Sequence, residues 1–222
     1  MSHDGSAAAQ EVVDNAPDAR ATLRNEPVQA RSAARLSALL DAAAAIVDEI
    51  GYERLTTAMV AERAGASIGT VYRYFPDRIA VLQALAARNL ERVLENATLQ
   101  IHDGQHENWA AALSAAFSVL VDAFRSEPGF RGIRAGDVLD LRPPTHERTF
   151  NSVVADRLLD ALVERFGFTD SPKLRLRFEV AIEVSDALAA RAFARDPRGD
   201  QAVLDESRDI VKDLLVQEFG RP

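Results

Sequence analysis

The sequence contains no cysteine. Disulfides, thiolate metal sites and cysteine nucleophiles are thereby excluded, and the absence fits a reducing, cytoplasmic setting. Lysine is almost missing too: Lys173 and Lys212 stand among 26 basic residues, so nearly every positive charge is a guanidinium. Breakers are few, with nine prolines and eleven glycines in 222 residues, and period-two runs of Val, Ile and Thr are scarce. Alanine and leucine dominate instead, which favours helices over sheets. No apolar run approaches the length of a membrane span. Residues 1–10 have neither a basic start nor an apolar core, so no secretory signal is expected there.

The formal net charge of −8 opposes a polyanionic partner only if it is spread evenly. It is not. Residues 31–78 carry six arginines and six carboxylates, whereas residues 79–222 carry 18 basic and 23 acidic side chains. A neutral segment can still present its arginines on one face.

Residues 1–28 are rich in Ala, Asp, Asn and Pro without an apolar stripe, and read as a disordered tail. Arg20 and Arg24 lie in it, as solvated charges or as an arm along phosphates. From Ser32 to Ile50, Leu36, Leu39, Leu40, Ala43, Val47 and Ile50 follow the spacing of an amphipathic helix, ended by Gly51. Thr56 or Thr57 can cap a short helix that stops at Gly65; Ser67 can cap a second through Phe75, where Pro76 blocks continuation. Asp77 is placed to cap a long helix to about Ile101. After a polar loop the pattern predicts helices over Trp109–Arg125, a short irregular one within 129–140, then Thr145–Phe166, Ser171 to about Ala194, and Asp200–Phe219. The expectation is an all-α chain: a tail over 1–28, a three-helix DNA-binding head over 29–76, and a helical ligand-binding and dimerisation body over 77–222.

Residues 56–75 have the spacing of a helix-turn-helix. Ala61 is small where two helices must cross, Gly65 supplies the turn, and Val71 anchors the second helix. With Val71 and Phe75 inward, Gly69 and Arg73 point outward, flanked by Thr70 and Tyr72. Glycine lets the backbone approach DNA; arginine reaches guanine or phosphate; tyrosines touch thymine methyls or phosphates. A competing motif overlaps: Gly65 to Gly69 spell G-x-S-x-G. A nucleophile elbow needs a strand before its serine, and here a helix precedes it, so Ser67 is read as a helix cap. No Walker, zinc-protease or dinucleotide fingerprint, and hence no cofactor signature, is present.

The stretch GYERLTTAMVAERAGASIGTVYRYFPDRIAVLQAL, Gly51 to Leu85, resembles the DNA-binding domain of the TetR/AcrR family of transcriptional repressors. The resemblance covers about Arg31 to Leu85. It implies that Thr57 binds phosphate and that Ser67, Ile68, Gly69, Thr70, Tyr72, Arg73 and Tyr74 form the groove-facing surface. Arg78 stands where the family usually has a phosphate-binding lysine. The implied function is a ligand-responsive, DNA-binding regulator working on a double-stranded operator as a homodimer, with neither enzymatic activity nor membrane attachment. A helical enzyme, or an architectural DNA-binding protein without ligand, are the alternatives.

The last two helices each carry a stripe. Ile182, Ser185, Leu188, Ala189 and Ala192 on the first, with Leu204, Val211, Leu214 and Leu215 on the second, are candidates for a four-helix dimer interface; packing within the chain is the alternative. A pocket for an apolar or aromatic effector is expected among residues 85–180, with Trp109, Phe117, Phe124, Phe130, Phe150 and Phe178 as aromatic candidates and His146, Arg134 and Glu179 as polar ones. His102 and His106 have an H-x-x-x-H spacing, but Gly104 interrupts the segment, so no metal site is assigned.

Overall fold

The computed structural model describes residues 19–135 and 149–222, with residues 19–28, 134, 135 and 150 as backbone alone. Among the described residues there is no strand. The elements are α1 (Ala19–Ile50), a 3-10 turn (Tyr52–Arg54), α2 (Thr57–Arg63), α3 (Ile68–Tyr74), α4 (Arg78–His102), α5 (Trp109–Ser126), α6 (Phe130–Ala135), α7 (Phe150–Phe166), α8 (Pro172–Phe193) and α9 (Gln201–Phe219).

Helix starts follow side-chain caps. Thr56, Ser67, Asp77, Asn108, Thr149, Ser171 and Asp200 each accept a hydrogen bond from an amide of the first turn that the helix cannot satisfy. Each such cap stabilises its helix by about 1 kcal/mol. Pro172 occupies the first turn of α8, where its missing N–H costs nothing.

Three boundaries differ from the sequence expectation. α1 begins at Ala19 rather than near Ser32. Residues 19–26 carry no apolar stripe, but Ala, Leu, Arg and Glu have high intrinsic helix propensity, and propensity extends the helix where amphipathicity gives no signal. The expected tail is thus helical from residue 19, and residues 1–18 lie outside the described residues. α7 begins at Phe150, because Thr149 takes the cap; positions 145–148 lie outside the described residues. The 3-10 turn after Gly51 was not anticipated; fully buried Leu55 pins its end.

The head core gathers Leu39, Ala43, Ile46 and Val47 of α1, then Leu55, Val60, Ala61, Val71 and Phe75. It is completed by Val81, Leu82, Leu85 and Ala86 of α4 and by Ile133 of α6. A boundary before Asp77 therefore passes through a continuous apolar core. In the body α4 packs on α5 and α7, α7 on α8, and α8 on α9. α6 sits at the junction and touches α1, α4, α5 and α8. Its approach to α1 is close: a Cβ on Gly129, whose φ is +72°, would lie 3.0 Å from the Ala44 carbonyl oxygen. No described helix is long and apolar enough to cross a membrane.

Candidate nucleic-acid interface and ligand cavity

The second helix of the head presents the face that its spacing requires. Val71 is fully buried and Phe75 nearly so, while Gly69 and Arg73 are exposed, as are Ile68 and Tyr72. Thr57 at the start of α2 donates to the Tyr72 hydroxyl at 3.4 Å, which places both on one surface. The Ser67 hydroxyl accepts from the Thr70 amide at 3.1 Å and pairs with the Thr70 hydroxyl at 2.9 Å, so its work is to start α3. Arg73 has no hydrogen bond or ion pair among the described residues and stands free on the surface.

Two further candidates make contacts within the head. Tyr74 is half-buried, with its hydroxyl 3.1 Å from the Ser32 hydroxyl of α1, so it ties α3 to α1. Arg78 donates to the Glu53 carbonyl at 2.7 Å, which leaves its remaining N–H groups for a phosphate. α1 and α2 are joined by a bidentate pair, Arg63 to both Glu49 oxygens at 2.6 Å. The hydrogen bond from Arg63 holds the Glu49 carboxyl below its ordinary range.

The body contains a cavity of about 480 Å³. That is the scale of a small-molecule site. Leu90, Val93, Leu94 and Ala97 of α4 form one wall, Trp109, Leu113, Ala116, Phe117 and Leu120 of α5 another, with Phe130, Val154, Leu158, Phe178 and Ile182 closing it. Charged residues at its edge balance: Asp186 and Asp209 against Arg208 and Lys212. Arg208 is paired with Asp205 at 2.8 Å and lies over the Phe117 ring, 5.2 Å from its centroid. Asn151 donates to Glu183 at 2.8 Å and to Asp186 at 3.4 Å.

Of the aromatic candidates, Trp109, Phe117, Phe130 and Phe178 line the cavity. Trp109 also has a structural duty, donating its indole N–H to the Gly220 carbonyl at 3.1 Å. Phe124 is not a lining residue: it stacks on Phe193 at 4.8 Å and meets Phe130 edge-on at 5.1 Å. Glu179 lies outside the lining as well. His146 and the side chains of Arg134 and Phe150 lie outside the described residues. The aliphatic wall on α4 and α5 was not anticipated, because aromatic and polar side chains were expected to mark the pocket; its signal was there in the Leu, Val and Ala spacing of both helices.

The candidate dimer residues fall into two groups. Ser185, Ala189, Ala192, Leu204, Val211 and Leu215 are buried within the chain's own interior. Ile182, Ser185, Val211 and Leu215 line the cavity. Leu188 and Leu214 are half-buried. The large apolar side chains left to solvent on α8 are Leu176 at 64% exposure and Val180 at 43%, on its opposite face.

His102 and His106 do not converge. His102 faces Glu164 at 3.9 Å, and the carbonyl of His106 accepts from Arg165 at 2.6 Å. Among the described residues no group of three or more His, Asp or Glu is placed to hold a metal ion.

Two family models match the chain. "Bacterial regulatory proteins, tetR family" covers residues 39–85, and "Tetracyclin repressor-like, C-terminal domain" covers residues 107–219. A crystal structure of a TetR-family transcriptional regulator from Streptomyces coelicolor is 34% identical, with a TM-score of 0.70 over 83% of this chain and 99% of that one. The HTH-type transcriptional repressor KstR of Rhodococcus jostii is 42% identical over 59 residues, which are 27% of this chain and 28% of KstR. A transcriptional repressor of Mycobacterium tuberculosis is 28% identical over 81% of this chain and 94% of its own length.

Proposed function

The chain belongs to the TetR family of bacterial regulatory proteins, and from that premise we propose that it is a transcriptional repressor whose homodimer binds a palindromic DNA operator and releases it on binding a small apolar effector. The observation that carries this reading is the double role of α4. Its first turns complete the head core through Val81, Leu82 and Leu85, and its later turns wall the cavity through Leu90, Val93 and Ala97. A ligand that prefers one setting of α4 shifts the head with it.

In the head, Tyr72 and Arg73 read bases from the exposed face of α3, Gly69 admits close backbone approach, and Thr57 and Arg78 hold phosphates. α6 is the second link, because Phe130 lines the cavity while the adjacent Gly129 lies against Ala44 of α1. The effector is neutral and largely apolar or aromatic, since the walls are hydrocarbon and the edge charges balance. The dimer face is the outward stripe of α8, Leu176, Val180 and Val184. Two heads joined in this way match the two half-sites of a palindrome. The cytoplasm, where its DNA lies, is the site of action.

A cavity of this size counts against an architectural DNA-binding protein without ligand, and the capping duty of Ser67 counts against a nucleophile elbow. The test is release: a duplex of the protein's own upstream DNA is bound, and a panel of neutral apolar and aromatic compounds is titrated in. Displacement by members of the panel supports the reading. Operator affinity that no compound of any class changes would overturn the effector half of it.

A further inference from the structure

Among the described side chains of α1, the first that packs on the head core is Leu36, and the helix backbone starts at Ala19. Four to five turns, about 25 Å, therefore precede Leu36. The body touches α1 at its other end, around Ala44 and Val47. Ahead of Leu36, α1 adjoins the recognition helix, since Ser32 meets Tyr74 at the end of α3.

At about 100° per residue, positions 20, 24, 31 and 35 fall in one stripe roughly 60° wide and about 22 Å long. All four are arginines. The carboxylates of this part of α1 lie off the stripe: Glu26 is roughly 150° round the helix, and Asp41 roughly 90° round, where it pairs with Arg88. Arg31 and Arg35 are exposed and have no ion pair or hydrogen bond among the described residues. Arg63, Arg92, Arg157 and Arg175, by contrast, each face a carboxylate. Arg31 and Arg35 stand one turn apart on one face, and like charges at that spacing repel unless an anion faces them.

The geometry points to a second DNA surface: Arg31 and Arg35, continued by positions 20 and 24, bind backbone phosphates flanking the bases that α3 reads. This rests on the operator-binding reading of the head. The stripe contributes affinity and orientation, and no sequence discrimination, because phosphates carry none.

The experiment measures affinity against salt for the full chain on two duplexes, its own upstream DNA and a scrambled version. The wild type is compared with a quadruple alanine variant at Arg20, Arg24, Arg31 and Arg35 and with the matching quadruple lysine variant. Expected is a weakening of at least about ten-fold at low salt, equal on both duplexes, with the log–log salt slope shallower by about 0.9 for each phosphate no longer neutralised. The lysine variant keeps the slope, which separates charge from helix packing. An alanine variant with an unchanged slope overturns the proposal, and so does a weakening confined to the selected duplex. If the wild type shows no preference between duplexes, the repressor reading fails instead, and the slope comparison still decides the stripe.

Discussion

Replacing Gly129 with alanine tests the contact through which the body reaches the head. Two costs add there. A φ of +72° places an L side chain in the left-handed region, which costs about 1–2 kcal/mol. The new Cβ would also lie 3.0 Å from the Ala44 oxygen, 3.3 Å from the Ala44 Cα and 3.3 Å from the Val47 Cβ. None of these atoms can rotate away, so crowding adds about 1–3 kcal/mol. Two controls separate the effects. Gly167 has a φ of +71° with nothing within 4 Å, so alanine there costs strain alone, about 1–2 kcal/mol. Gly132 is helical with Val47 Cγ1 at 3.1 Å, so alanine there adds crowding but gains about 1 kcal/mol of helix propensity. The assay is urea unfolding at one fixed protein concentration, with the slope m checked for constancy. Gly129→Ala is expected to cost about 2–5 kcal/mol, the most of the three. If it costs no more than Gly167→Ala, α6 does not press on α1 and the proposed second link is refuted.

Ala116 is 3% exposed and lines the cavity, so Ala116→Phe should abolish release by compounds that displace the wild type while operator affinity stays within about two-fold; release that persists would place the effector elsewhere. The Arg63 hydrogen bond lowers the folded pKa of Glu49 below its ordinary value of 4.5, so the stability it gives is present above that pH and fades as pH falls through the lower folded value. The difference in melting temperature between wild type and Glu49→Gln should therefore be seen at neutral pH and shrink well below pH 4.5; a difference constant with pH would contradict this. Leu176 and Val180 are exposed at 64% and 43%. Changing both to glutamate should yield a folded monomer in sedimentation equilibrium with at least about ten-fold weaker operator binding, and an unaltered dimer would remove that face from the interface.

Local rules made the head legible. Val71 and Phe75 had to face inward and Tyr72 and Arg73 outward, because helical spacing decides this once one anchor is placed. Ser67 and Asp77 were legible as caps because their chemistry is local. Tyr74 was not: the resemblance put it on the groove face, whereas helical spacing sets it only about 60° from Val71, and its hydroxyl meets Ser32, 42 residues earlier in the chain, on a neighbouring helix of which spacing carries no information. The same limit explains α8 and α9. Periodicity correctly marked Ser185, Ala189, Leu204 and Leu215 as a buried face, but could not say that the burying partner is the same chain. Phe124 looked like Phe117 in sequence; only the tertiary stack on Phe193 removes it from the cavity. The early start of α1 was hidden because no apolar stripe marks it, and the stripe there is made of arginine.

The central claim is sequence-selective DNA binding by the exposed face of α3, and fluorescence anisotropy tests it most directly. Wild type and Arg73→Ala are titrated against a duplex of the protein's own upstream DNA and a scrambled duplex, at stated salt. Arg73 is exposed and unpaired among the described residues, so its removal should leave the melting temperature unchanged. The account predicts that the wild type prefers the upstream duplex and that Arg73→Ala loses about 1–3 kcal/mol of that preference. Equal preference in both proteins, or none in the wild type, would contradict it.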